Sequence, residues 1–572
     1  MTYRAPVGEL QFLFQHVVGA DRLAQTEAFA DATPDMVAAI LGEGARMAEQ
    51  VLAPLQRAGD LNPAVLENGV VRTSPGFAEG YRAIASGGWI GMSASPEFGG
   101  MGLPHTLAVA LTEMMSSACL ALSLNPLMSQ GQIEALQAHG SDELKALFLP
   151  KLISGQWSGT MNLTEPQAGS DVGALSTRAE AAGDGTYAIT GQKIFISWGD
   201  SDLAANICHL VLARLPDGAP GTRGISLFLV PKFLPDENGE AGVRNAVSVV
   251  SLEHKLGLHG SPTAVMQFDG ATGWLVGAEH AGMKAMFTMM NNARLGVGTE
   301  GLGVAEAAYQ QALGYARERK QGRSPVANGT GTILDHADVR RMLMTMKAQT
   351  AAARAIIYDA AVATDMAHAG KGDDWAARAA FLTPIAKAFG SDTGNEVASL
   401  GVQVHGGMGV IEETGAAQYM RDVRVTSIYE GTNGIQAMDL VARKLMDGGK
   451  AAFSLLDEVG ETADRARAHL PDLGDLLADA ASEVTQTTRW MLEQGDPNDR
   501  FAGAVAFLRA FALVLGGHFL LRAALAVGGK GPRVALARFF VRRMMAPAGV
   551  LCAEAREGQA DLYALDADAM ES

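Results

Sequence analysis

The chain has 572 residues, 48% of them hydrophobic and 19% charged, with a formal net charge of −17. At about 150 residues per domain, that length allows three or four units, and the charge disfavours nucleic acid and anionic membrane unless a local patch overrides it. Three widely spaced cysteines, Cys119, Cys208 and Cys552, rule out a disulfide framework and lack metal-ligand spacing, so a reduced, cytoplasmic setting is expected.

Ala, Leu and Met dominate except in the middle of the chain, where apolar and polar residues alternate. The pattern predicts a mostly α protein with a central antiparallel β domain. Met1–Phe14 has no basic region followed by an apolar run, so no signal peptide is expected. Residues 1–158 read as an N-terminal helical domain. Within it Met36–Leu55 carries helical spacing, Ser95–Pro104 is a break, Leu107–Leu124 resumes the pattern, and Ser141 caps a short helix to Ile153.

Residues 159–282 change texture. Short segments rich in aromatic and β-branched residues, such as Tyr187–Ile189, Lys193–Trp198, His209–Ala213 and Ile225–Val230, predict an antiparallel sandwich or barrel. Residues 283–446 return to helices: Met283–Arg319, Val339–Ala369, Thr383–Leu400 and one ending at Val441–Lys444, together a bundle. Residues 447–572 form a C-terminal helical extension. Its stretch Phe511–Val527 is apolar but interrupted by His518 and Arg522, short of the ~20 residues of a membrane span. No Asp or Glu stands between Arg500 and Glu554. Such a basic run reads as a solvated or subunit-facing surface, or as a patch for DNA.

Four stretches carry chemistry. Ile428–Gln436, I-Y-E-G-T-N-G-I-Q, sets Glu430 in a turn built by Gly431, Asn433 and Gly434, with Ile428 and Tyr429 placed to keep water off it. A carboxylate so placed can act as a general base, and it can equally cap a helix starting near Asn433. Met161–Ala174 offers hydroxyls at Thr164 and Ser170 and N–H groups around Ala168 and Gly169, which suit the edge of a flat heterocycle. In Gly191–Gly199 a period of two puts Phe195 and Ser197 on one face. Gln403–Gly409, Q-V-H-G-G-M-G, can bring N–H groups to a pyrophosphate, but follows a helix rather than a strand, so it is no dinucleotide-fold fingerprint. Arg294 lies in an apolar neighbourhood and needs an anionic or carbonyl partner; the R-E-R-K-Q-G-R run at Arg317–Arg323 can neutralise a phosphate.

In this order, the T-E-P-Q-A-G-S-D segment at Thr164–Asp171, the Gln403–Gly409 loop and the I-Y-E-G-T segment at Ile428–Thr432 resemble the signatures of the acyl-CoA dehydrogenase family, over roughly Gly88 to Lys444. The resemblance implies an α domain, a β domain and a four-helix domain with bound FAD. It assigns flavin contacts to Met161, Leu163, Thr164, Gly169, Ser170, Phe195, Ile196 and Ser197. The pyrophosphate and adenine end goes to Arg319, Gln403, Gly406, Gly407 and Thr432. Acyl-CoA contacts fall to Ser170, Asn291, Arg294 and Gly431. Glu430 is implied as the base that removes the α-proton as a hydride leaves the β-carbon, and its own N–H as a donor to the thioester oxygen. An electron-transfer flavoprotein is the implied acceptor, and the long C-terminal region favours a homodimer over a tetramer.

The sequence departs from the family pattern at Gln418, where a basic residue is usual, at Gly434, where a Gln is common, and at Phe195 and Ser197, which replace Trp and Thr. The opening Y-R-A-P-V-G-E-L-Q-F-L-F and the E-H-K-L-G-L-H-G-S-P-T segment at Glu253–Thr263 resemble a bacterial subgroup that includes dehydrogenases of 3-(methylthio)propanoyl-CoA, which act in dimethylsulfoniopropionate breakdown. Rival expectations are a medium- or long-chain fatty acyl-CoA substrate, an acyl-CoA oxidase, and a DNA-associated flavoprotein of the alkylation-response kind.

Overall fold

The computed structural model describes residues 3–571; Met1, Thr2 and Ser572, the outer limits of the first and last expected domains, lie outside the described residues. By internal contacts the chain divides into two compact units, one of Ala39–Gly296 and one joining Tyr3–Ala38 to the chain from Val297 onward.

In the first unit the expected helix at Leu107–Leu124 runs much further, over His105–His139, with a break in helical geometry at Cys119 (φ −157°, ψ 87°). Ser141 caps the next helix, Asp142–Ile153, its Oγ accepting from the Leu144 N–H at 3.3 Å. The chain then enters a seven-stranded sheet. Strands Thr263–Val276, Tyr187–Ser197, Arg178–Ala181, Asn206–Arg214 and Ile225–Pro231 pair in succession, and the last pairs back with the first. Five strands therefore close a ring, and Val247–Leu252 and Trp157–Asn162 each pair with one of them. Not every pairing is antiparallel as expected: Trp157–Asn162 runs parallel to Asn206–Arg214. A parallel partner needs a long crossover, and residues 163–205 supply one. The barrel is filled by Ile189, Ile196, Val211, Phe228, Val230, Met266 and Phe268, all buried.

In the second unit three long helices, Gly282–Glu318 (from Val297), Ala337–His368 and Asp373–His405, carry the short helix Asn433–Asp439. The third begins ten residues before the expected Thr383 and passes through Pro384. The first and third approach backbone to backbone: a Cβ on Gly298 would lie 2.5 Å from the Ala386 carbonyl, and one on Gly390 2.5 Å from the Gly298 carbonyl. Only glycine fits such a crossing, and this closeness brings Glu300 towards the turn described below.

The extension adds helices Lys450–Arg467, Pro471–Glu493 and Pro497–Ala526. The apolar stretch expected to be too short for a membrane span belongs to the last of these, which at 30 residues is long enough to cross one; its most apolar window is 89% buried inside the fold. Four cations of the basic run are paired with acids. Arg509 pairs with Glu396 and Arg533 with Glu9, each at 2.8 Å, while Arg538 and Arg542 share Asp472 at 2.5 and 2.8 Å. These acids come from far away in sequence. The three cysteines are buried and unbridged.

Candidate active site

The turn at Ile428–Gln436 is held in a conformation that most side chains avoid. Glu430 has φ 55° and Gly431 φ 82°. Left-handed backbone is open to glycine but costs a glutamate about 1–2 kcal/mol, so neighbouring groups must impose it. Gln436 Nε2 donates to the Glu430 carbonyl at 3.0 Å and to the Gly431 carbonyl at 3.3 Å. Lys387 Nζ, fully buried, donates to the Gly431 carbonyl and to Asn433 Oδ1, each at 2.9 Å. Asn433 in turn donates to Asp392 Oδ1 at 2.7 Å and Ser391 Oγ at 3.0 Å.

The helix-capping alternative for Glu430 fails on geometry. The cap of Asn433–Asp439 is Thr432, whose Oγ1 accepts from the Ile435 N–H at 3.2 Å. Glu430 is left half-buried at the bend. The expectation that Ile428 dries it also fails, because Ile428 is 51% exposed. The other neighbour, Tyr429, turns inward and donates its hydroxyl to Glu300 Oε2. Burial pushes the Glu300 carboxyl up to about 8, with the Glu430 charge adding to the rise and the Tyr429 hydrogen bond and Lys387 opposing it. Burial, together with Glu300, likewise raises the Tyr429 phenol well above its ordinary range.

Other expected residues of this unit lie at the surface. Arg319 is exposed just past the helix Gly282–Glu318, with its N–H on the Tyr315 carbonyl at 2.9 Å. Gln403, Gly406 and Gly407 are exposed where the helix Asp373–His405 ends, and a Cβ on either glycine would meet nothing within 4 Å. His405 is structural: buried, its Nδ1 2.7 Å from the Gly401 carbonyl and its ring stacked on Tyr315 at 4.5 Å. Gln418, in place of a usual base, donates to Asp422 at 3.2 Å.

In the unit Ala39–Gly296 the loop after Trp157–Asn162 is braced from beneath. Lys193 Nζ donates to the Leu163 carbonyl at 3.0 Å and to Glu165 at 2.8 Å, and Glu165 also accepts from Ser176 and Thr177. Of the N–H groups expected to be open, that of Ala168 is not: it donates to the Glu165 carbonyl at 3.0 Å. Gly169 and Ser170 are exposed, and Met161, Leu163 and Thr164 half-buried. The alternation expected to align Phe195 with Ser197 is interrupted. The register slips between Ile196–Ala264 and Lys193–Met266, and Phe195 takes φ 60°. This bulge turns Phe195 out, 59% exposed, while Ile196 is buried and Ser197 half-buried. An aromatic ring standing out of a strand beside hydroxyls suits a flat heterocycle rather than core packing. Asn291 is exposed, and buried Arg294 lies 6.0 Å over the Phe287 ring.

Two groups went unforeseen: Glu300 and Lys387. Each is a lone charge in an apolar helical run, V-G-T-E-G-L-G and P-I-A-K-A-F-G, which is the signal that could have marked them as needing partners.

Models of the acyl-CoA dehydrogenase N-terminal, middle and C-terminal domains match residues 45–156, 160–271 and 280–446, and one described as acetyl-CoA dehydrogenase C-terminal like matches 455–566. The chain belongs to the acyl-CoA dehydrogenase family, FAD-dependent oxidoreductases. It is 46% identical, over 89% of its length and 88% of the relative's, to 3-methylmercaptopropionyl-CoA dehydrogenase of Ruegeria pomeroyi. It is 35% identical, over 95% of both, to the broad-specificity linear acyl-CoA dehydrogenase FadE5 of Mycobacterium tuberculosis. The fold is shared with Caenorhabditis elegans ACDH-11 in complex with C11-CoA, at a TM-score of 0.80 and 21% identity over 95% of this chain and 91% of that one.

Proposed function

We propose that this enzyme oxidises an acyl-CoA thioester to the trans-2-enoyl-CoA, with 3-(methylthio)propanoyl-CoA as substrate and 3-(methylthio)acryloyl-CoA as product. The observation that carries the reading is Glu430: a carboxylate held at a left-handed bend by Gln436 and Lys387, while Thr432 does the capping. The substrate rests on the identity with the Ruegeria pomeroyi relative.

In this reading Met161, Leu163, Thr164, Gly169, Ser170, Phe195, Ile196 and Ser197 hold the ring of FAD. Arg319, Gln403, Gly406, Gly407 and Thr432 hold its pyrophosphate and adenine. Bound FAD supplies the acceptor for the hydride that leaves the β-carbon. Glu430 takes the α-proton onto its carboxylate, which ends neutral; a positioned base of this kind contributes roughly 10²–10⁴-fold. The thioester carbonyl accepts from the Glu430 N–H, a donor that the bend keeps out of the helix Asn433–Asp439. Ser170, Asn291, Arg294 and Gly431 contact the acyl-CoA. An electron-transfer flavoprotein reoxidises the enzyme, which acts as a dimer, and the buried, unbridged cysteines suit a reduced cytoplasm.

A second reading, a broad range of linear acyl-CoAs, is favoured by the Mycobacterium tuberculosis relative. Anaerobic bleaching of the bound flavin by a panel of acyl-CoAs separates the two. The first expects the methylthio substrate to bleach fastest; a faster rate with palmitoyl-CoA supports the second. Glu430→Gln is expected to stay yellow and to bleach at least ~10²-fold more slowly. Wild-type bleaching by that variant would refute the assignment of the base.

A further inference from the structure

Glu300 has no part in the reaction as described, yet it is the most unusual carboxyl in the helical unit. It is 1% exposed on the helix Gly282–Glu318, among glycines that leave it no polar neighbour of its own helix face. One oxygen, Oε2, accepts from the Tyr429 hydroxyl. The other, Oε1, is buried and has no hydrogen-bond partner among the described residues. A buried carboxylate with a bare oxygen is costly, and a protonated one much less so. The residue at the other end of the hydrogen bond is next in sequence to the base.

We propose that Glu300 is a positioning residue for Glu430: through the Tyr429 hydroxyl it fixes the entry to the turn and sets the charge that the base faces. The inference rests on the reading of Glu430 as that base.

The sign follows from charge alone. When Glu430 accepts the α-proton it goes from anion to neutral acid. An anion nearby favours the neutral form, so an ionised Glu300 promotes proton uptake by Glu430 and a neutral one does not. The titratable groups acting on Glu300 are Tyr429 and Glu430 from the turn and Lys387 from the helix Asp373–His405. Burial and Glu430 hold its proton on; the Tyr429 hydrogen bond and Lys387 favour its release, and the balance falls at about 8. In this proposal, ionisation of Glu300 turns a weaker base into a stronger one.

The test is the rate of anaerobic flavin bleaching by excess acyl-CoA in the full-length holoenzyme, followed from about pH 6 to about pH 9.5. The wild type is expected to show a rise centred near the value of about 8 carried by Glu300. In Glu300→Gln that rise disappears, and at about pH 9 the variant runs about three- to tenfold slower than the wild type. Tyr429→Phe keeps both carboxyls but removes the hydroxyl that favours the charged form, so the rise moves to higher pH. Should Glu300→Gln fail to retain flavin, Tyr429→Phe decides alone. Wild-type profiles in the variants that hold flavin would overturn the proposal. If Glu430→Gln is inactive while Glu300→Gln has a wild-type profile, the base stands and only this inference falls; if Glu430→Gln is active, the underlying assignment falls first.

Discussion

Lys387 Nζ, with no exposed surface, donates to the carbonyl of Gly431 at 2.9 Å, tying the helix Asp373–His405 to the residue after Glu430. The same ammonium reaches Asn433 Oδ1 at 2.9 Å, so one cation fixes both sides of the bend. Lys387→Met keeps the length and apolar stem but removes one donor from each of two acceptors, which keep Gln436 at 3.3 Å and Ser391 Oγ at 3.2 Å, so about 0.5–1.5 kcal/mol is lost per bond. The larger effect is expected on catalysis, since a displacement near 1 Å at a reacting group costs about 10²-fold. Steady-state kinetics should show a fall in kcat of that order with little change in KM. A variant with wild-type kcat would show that Gln436 alone suffices to hold the turn.

Glu430, the proposed base, is also strained, which makes a prediction of opposite sign for stability. Glu430 at φ 55° occupies backbone that suits glycine. Glu430→Gly and Glu430→Ala both remove the carboxylate and should both abolish turnover. They should differ in stability, with glycine the more stable by about 1 kcal/mol because alanine keeps the Cβ that the conformation penalises. Thermal unfolding of the two purified variants measures the difference. Equal midpoints would mean that the turn relaxes to φ below zero once the carboxylate is gone.

The contrast between what was legible in the sequence and what was not follows the range of the interactions. The helix over Met283–Arg319 and the cap at Ser141 are written in local spacing and local hydrogen bonds, and the structure has Gly282–Glu318 and the Ser141–Leu144 bond. Pro384 suits a first turn, in keeping with the helix expected from Thr383. The packing of Asp373–His405 on its neighbours carries the helix through that proline instead. Phe195 was expected to follow the strand period, but the bulge that turns it outward is set by register against Thr263–Val276. The turn at Glu430 was readable from its glycine and asparagine. The groups that hold its turn, Lys387 and Glu300, sit in other helices, and only the fold brings them to it.

The buried pair beneath the loop Met161–Ser170 predicts how the barrel answers acid. Glu165 is 2% exposed and Lys193 0%. Burial alone would raise the Glu165 carboxyl, but the charge and hydrogen bond of Lys193, with those of Thr177 and Ser176, outweigh it and hold the group down to about 2. A carboxyl whose folded value lies below its unfolded value stabilises the fold above the unfolded value, and that contribution drains away as pH falls through 4.5 towards 2. Denaturant midpoints should therefore fall between pH 5 and about pH 3 more steeply in the wild type than in Glu165→Gln. At neutral pH that variant should itself lose about 3–5 kcal/mol, because it strands a buried ammonium. Replacing both partners, as in Glu165→Leu with Lys193→Met, should lose less than the single change. Lys193 also holds the Leu163 carbonyl at 3.0 Å, so the double variant recovers fold stability without recovering that brace. It is expected to release FAD more readily than the wild type, read as the ratio of flavin to protein absorbance after gel filtration. Full flavin retention would place the bracing of Leu163 elsewhere than in Lys193.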